Sequence, residues 1–128
     1  MIIRSIKQED ILQIVNLEMK FLGETIGEEL LLESIQTPHL YFYVAEEKDV
    51  IGYIGAYILQ GQTEILNFVV DEKYQRLGIG QKLFNEIIED SKINKSDSIG
   101  IIVFSYVNNF KIIFLIETYS FFIINFNF

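Results

Sequence analysis

Apolar and polar positions change period several times along this chain, and each change marks an element. The first residues, M-I-I-R-S-I, read as a strand, and Ile11, Leu12, Val15, Met19 and Leu22 then recur at helical spacing until Gly23. A second helix is predicted where Thr25, with Glu28 three residues on, forms a capping box. Leu30, Leu31, Leu32 and Ile35 supply its buried side, and Pro38 marks its exit. From Leu40 to Glu46 and from Val50 to Leu59, β-branched and aromatic residues predict two strands joined by Glu47-Lys48-Asp49. Glu64 to Val70 adds a third, making an antiparallel meander.

The stretch from Asn67 to Ile88 then passes from strand through Gln75-Arg76-Leu77-Gly78-Ile79-Gly80 into an apolar stripe of Ile79, Leu83, Phe84, Ile87 and Ile88. A helix opening directly from such a loop has backbone N–H groups without carbonyl partners, at the positive end of its dipole. That is a site for a phosphate. Gly78 and Gly80 have no Cβ to hold an anion away, and Arg76 adds positive charge beside them. Two glycines alone are equally explained by a tight turn before a helix. No third glycine completes a dinucleotide fingerprint, and Gln81-Lys82-Leu83 follows Gly80 where a nucleotide triphosphate loop needs Lys and then Ser or Thr.

After Ile88 a polar connector runs to Ser98, and Ile99 to Phe104 predicts the next strand. Beyond Ser98 the composition shifts: Lys111 and Glu117 are the only charged residues there, while seven of the eleven phenylalanines fall in it. A membrane helix over Phe110 to Phe128 would bury both charges, at a few kcal/mol each near a bilayer centre. The favoured prediction is a helix over Asn109 to Tyr119 and a strand over Phe121 to Phe126, with an aromatic edge that invites self-association.

The 128 residues predict one domain spanning 1–128, with no linker or repeat. Without cysteine there is no disulfide, thiol nucleophile or thiolate metal site, and a cytoplasmic protein off the membrane is expected. A net charge of −8 disfavours direct nucleic-acid binding and is compatible with an amine-bearing partner. No metal is expected: His39, beside Pro38, stands alone and reads as a loop residue. Tyr41, Phe42, Tyr43, Tyr53 and Tyr57 read as sheet packing. Glu24, Glu28 and Glu29 read equally as a solvated helix start or as an acceptor-recognising cluster.

Gln75, Gly78 and Gly80 match, position by position, the Gln/Arg-x-x-Gly-x-Gly/Ala motif of the GNAT superfamily of N-acetyltransferases, which this chain resembles. The resemblance takes in Val70-Asp71-Glu72-Lys73-Tyr74 and the N-terminal M-I-I-R-S-I-K-Q-E-D-I, and is close to about residue 98 but poor beyond it. It implies an α/β GNAT fold, a mixed and mostly antiparallel sheet flanked by helices and splayed between its fourth and fifth strands, here with the seventh strand missing. Acetyl-CoA is the implied cosubstrate. Its implied contacts are Phe68, Val69 and Val70 on the fourth strand, where a backbone N–H meets the oxyanion, then Gln75, Arg76, Leu77, Gly78, Ile79, Gly80 and Gln81 in the loop, and Asn109. Glu64, sixteen residues before Gly80, has the offset of the glutamate base in the histone-acetylating branch, and a solvated strand start explains it as well.

Within the superfamily the chain is most similar to RimI-type enzymes, which acetylate the N-terminal alanine of a small-subunit ribosomal protein. Placing their cofactor-binding asparagine on Asn109 puts Phe104 at the base position and Ile116 at the position of the tyrosine acid, so both catalytic side chains are absent. Leu115, Glu117, Phe121 and Ile123 fit that pattern, Ser120 replaces a glycine, and Tyr119 substitutes for the acid only if the helix shifts by about one turn. The implied activity is transfer of acetyl from acetyl-CoA to an amine, a protein N-terminus in the RimI manner. A small-molecule amine acetyltransferase and a catalytically impaired acyl-CoA-binding protein are the alternatives.

Overall fold

The computed structural model describes residues 1–101, 105–107, 110–112 and 115–116. In chain order its elements are β1 (Ile2–Ser5), α1 (Ile11–Leu22), α2 (Glu28–Ser34), β2 (Leu40–Glu46), β3 (Val50–Leu59), β4 (Gln62–Val70), α3 (Ile79–Ile93), β5 (Ser98–Ile101), β6 (Ser105–Val107), β7 (Phe110–Ile112) and β8 (Leu115–Ile116). One sheet has the order β1-β2-β3-β4-β5-β8, with β4 and β5 parallel and the other pairs antiparallel; β6 and β7 form a separate ladder. This is the mixed, mostly antiparallel α/β sheet that the sequence predicts.

Two apolar layers hold the sheet. On one face Ile79, Leu83, Phe84, Ile87 and Ile88 of α3 pack on Ile54, Ile65, Phe68 and Val70. On the other, Ile11, Ile14 and Leu17 of α1 and Leu31 of α2 pack on Phe42, Val44, Tyr53 and Val69. The β3–β4 hairpin closes through Gln60 and Gly61, both at positive φ (52° and 77°), the backbone whose twist matches its flanking strands.

Several boundaries differ from the sequence prediction. Helix α1 is turned: Ile11, Ile14, Leu17 and Glu18 face inward, whereas Leu12 and Met19 are exposed. The α2 cap is Gly27, without a side-chain bond, because the Thr25 hydroxyl donates to Glu18 instead of serving a capping box. Leu32 and Ile35 are exposed, and Leu31 and Ser34 carry the buried side of α2. Helix α3 continues five residues past Ile88 to Ile93, since Ser91 of the presumed connector is buried and meets Thr63 at 2.7 Å.

The helix predicted over Asn109 to Tyr119 does not form across its described residues. Phe110–Ile112 pairs with Ser105–Val107, and Leu115 and Ile116 pair with Gly100 and Ile99. Aromatic and β-branched residues dominate that stretch, and they favour strands. Phe104, Asn109, Glu117, Tyr119 and the strand predicted over Phe121 to Phe126 lie outside the described residues. Among the described residues no helix is long and apolar enough to cross a membrane.

Candidate functional site

Strand β4 lies between β3 and β5. Among the described residues Gln62 to Ile65 align with Ser98 to Ile101 of β5. The β3–β4 register jumps from Ala56–Ile65 to Gly55–Asn67, so Leu66 is the extra residue of a β-bulge. The bulge turns Leu66 and Asn67 to the same, α1 side of the sheet, where Leu66 packs on the α1 layer and Asn67 meets Glu18. Gly55 lies opposite Asn67, and an added Cβ there would come within 2.6 Å of the Phe42 ring.

Beyond the bulge, Asp71 N–H donates to Ile51 C=O at 2.7 Å, which fixes the alternation of the antiparallel ladder. Val69 therefore bonds back to β3, and the backbone groups of Phe68 and Val70 point away from it. Phe68 N–H donates to Asn67 Oδ1 at 3.1 Å, and the Val70 carbonyl accepts Gln75 Nε2–H at 3.1 Å.

Gln75 thereby ties the loop to the end of β4. Its main chain is extended, Arg76 follows in the left-handed region at φ 66°, and Gly78 takes φ 80° as the N-cap of α3 without a side-chain capping bond. Helical bonding starts with Lys82 N–H to Gly78 C=O at 3.1 Å, so the amides of Ile79, Gly80 and Gln81 precede the first bond of the helix. A Cβ built on Gly78 meets nothing within 4 Å. Arg76 and Leu77 are exposed, and Arg76 enters none of the ion pairs among the described residues. The loop thus sets the helix-start amides beside the exposed Arg76, an arrangement suited to a diphosphate.

Glu64 is exposed, between Tyr57 on β3 and Gly100 on β5. Its neighbours Thr63 and Ile65 are buried toward α3, which puts Glu64 on the α1 side. His39 is an exposed loop residue, its ring edge-on to Tyr57.

The residue the sequence did not single out is Glu18. It is wholly buried, and its carboxylate accepts from Thr25 Oγ1–H at 2.7 Å, Ile26 N–H at 3.1 Å, Tyr53 O–H at 2.7 Å and the Asn67 side-chain amide. Burial, reinforced by this carboxylate, pushes the Tyr53 hydroxyl well above its ordinary value. Glu18 sits on the inward stripe Ile11–Ile14–Glu18 rather than the predicted one, and a charged residue at such a position is held by a buried polar network.

The acetyltransferase (GNAT) family profile matches residues 9–114. The chain belongs to that family. Over 68 residues it is 32% identical to the uncharacterized N-acetyltransferase YitH of Bacillus subtilis (strain 168), a match covering 53% of this chain and spanning only 24% of that protein's length. Its fold is similar to the ribosomal-protein-alanine N-acetyltransferase of Escherichia coli (TM-score 0.67, 16% identity, 78% of this chain and 64% of that one). It is equally similar to Rv2747 from Mycobacterium tuberculosis, solved in complex with CoA (TM-score 0.66, 23% identity, 79% and 63%). In this GNAT-family chain the bulged β4 runs through Val70 into the glycine loop, which Gln75 ties back to the strand.

Proposed function

We propose that this chain transfers an acetyl group from acetyl-CoA to an amine, and that the amine is the N-terminal α-amine of a ribosomal protein. The observation that carries the reading is the junction of a bulged β4 with an α3 whose first amides precede helical bonding. The diphosphate lies over the amides of Ile79, Gly80 and Gln81 with Arg76 beside it, Gln75 and Leu77 shape the loop, and the pantetheine runs along Phe68, Val69 and Val70. Asn109 is a further cofactor contact on the family resemblance.

Reaction requires the amine nitrogen to attack the thioester carbonyl, the C–S bond to break, and the amine proton and the departing thiolate to be served. The amides of Phe68 and Val70 are the donors for the carbonyl oxygen as it becomes an oxyanion. Phe68 N–H then exchanges Asn67 Oδ1 for that oxygen. Glu64 accepts the amine proton from the α1 side of the sheet. An α-amine with a pKa near 8 is roughly a tenth neutral at pH 7, whereas a lysine near 10.4 is neutral about once in several thousand, so a site short of acid and base side chains suits an α-amine.

The fit to RimI-type enzymes supports the ribosomal-protein acceptor and a cytoplasmic site of action. Phe104 and Ile116 at the base and acid positions favour a second reading, an acyl-CoA-binding chain with impaired transfer, because a positioned acid or base is worth about 10² to 10⁴ in rate. Calorimetry with acetyl-CoA, paired with thiol release from an alanine-terminated peptide and from a polyamine, decides among them. The proposal expects binding and peptide-dependent release. Binding without release selects the second reading, release with the polyamine alone selects a small-molecule acceptor, and absence of binding removes all three.

A further inference from the structure

A fully buried carboxylate outside every ion pair of the described residues is costly unless its oxygens are saturated by donors, and at Glu18 four donors converge. They come from three places: Thr25 and Ile26 in the turn between α1 and α2, Tyr53 at the centre of β3, and Asn67 on the β4 bulge. Gly23 N–H also closes on the Glu18 main-chain carbonyl at 3.1 Å, which fixes the start of the same turn. One side chain therefore bolts the α1–α2 turn to the bulged β4.

The chemistry of the bond to Asn67 determines more than distance. An ionised carboxylate only accepts, so Asn67 must offer it the Nδ2 amino group, and its Oδ1 is left facing the other way. There it accepts Phe68 N–H, one of the two amides that point away from β3. Were the Asn67 amide turned over, its Oδ1 would face the carboxylate and its amino group would face the Phe68 amide, acceptor against acceptor and donor against donor.

We propose that Glu18 is a positioning residue for acyl transfer: by clamping the α1–α2 turn to the β4 bulge and fixing the Asn67 amide, it sets the orientation of the Phe68 amide. This rests on the acetyltransferase reading above. Glu18 itself touches no substrate.

The test compares Glu18→Leu, Glu18→Gln, Asn67→Asp and the double variant E18Q/N67D for acetyl-CoA affinity, kcat and KM. Gln can keep its oxygen toward Tyr53, Ile26 and Asn67 and turn its amino group to Thr25 Oγ1, so E18Q is expected to retain most of the rate. E18L removes every acceptor, and kcat is expected to fall about 100-fold, as for a small misplacement of reacting groups, with the acetyl-CoA Kd unchanged because the glycine loop does not touch Glu18. N67D sets two carboxylates against each other, and adding E18Q is expected to recover at least about tenfold of its loss.

Strictly additive losses in E18Q/N67D, or an E18L kcat within about twofold of the parent chain, overturn the positioning role. Should E18L fail to fold, the E18Q/N67D comparison decides alone. A parent chain that neither binds acetyl-CoA nor releases thiol overturns the acetyltransferase reading and this role with it, whereas an active parent with additive variants overturns this role only.

Discussion

Gln75 Nε2 lies 3.1 Å from the main-chain oxygen of Val70, so the side chain that opens the glycine loop ends on the strand the loop leaves. The Val70 carbonyl faces away from β3, and this amide is its bond partner. Replacing Gln75 with Ala leaves a strand-end acceptor without its donor. A loss of about 1 kcal/mol in unfolding free energy is expected, read from urea denaturation, together with weaker acetyl-CoA binding by calorimetry as the loop loosens.

Arg76 has a different role, since it is exposed and joins no ion pair among the described residues. Arg76→Ala is expected to leave stability within about 0.5 kcal/mol of the parent. The acetyl-CoA Kd should rise about fivefold to tenfold at low salt, for the loss of one charge-assisted contact to phosphate, and the difference should shrink as salt is added. An unchanged Kd would remove Arg76 from the diphosphate site.

Gly55 faces Asn67 across the bulge and packs under the Phe42 ring, which an added Cβ would approach to 2.6 Å. Phe42 is itself almost fully buried, so the ring has little room to withdraw. Gly55→Ala is expected to cost about 1–3 kcal/mol by overpacking, visible as a lowered Tm in thermal unfolding.

The acid limb of stability should depend on Asp10, which is 2% exposed and receives Arg4 Nη1 and Nη2 at 2.7 and 2.8 Å and Lys7 N–H at 2.7 Å. Burial pushes its carboxyl up, but the Arg4 and Lys7 bonds outweigh it and hold the group below the usual carboxylate value. A depressed folded value means that the contribution is complete above about pH 4 and is lost as pH falls through the folded value. Asp10→Asn is expected to be about 1.5–3 kcal/mol less stable at pH 7 and to show a flatter decline below about pH 4, measured by denaturation across that range.

Much of this fold is local in origin and was legible along the chain. Strands β2 and β3 begin and end where the β-branched and aromatic runs do, because alternation on a pleated sheet is written in neighbouring residues. Helix α3 shows its buried stripe from Ile79 to Ile88 at every position predicted, since the opposite face is polar and only one orientation buries apolar surface. The glycine loop was readable for the same reason: positive φ at Gly78 and the start of helical bonding are properties of a few consecutive residues.

Helix α1 was not legible in this way, being apolar on most sides, and Leu12 and Met19 offered a stripe as good as the true one that contains Glu18. Choosing between them depends on what lies opposite, and the partners Tyr53 and Asn67 are 35 and 49 residues away. The bulge at Leu66 likewise has no local mark, since it arises from the register between β3 and β4. What the sequence by itself determined was the periodicity of β2, β3 and α3 and the backbone freedom of the loop; where a buried charge finds its donors, and which β4 amides turn away from β3, was decided only when distant strands and helices packed together, because hydrogen bonding and burial are satisfied in space rather than along the chain.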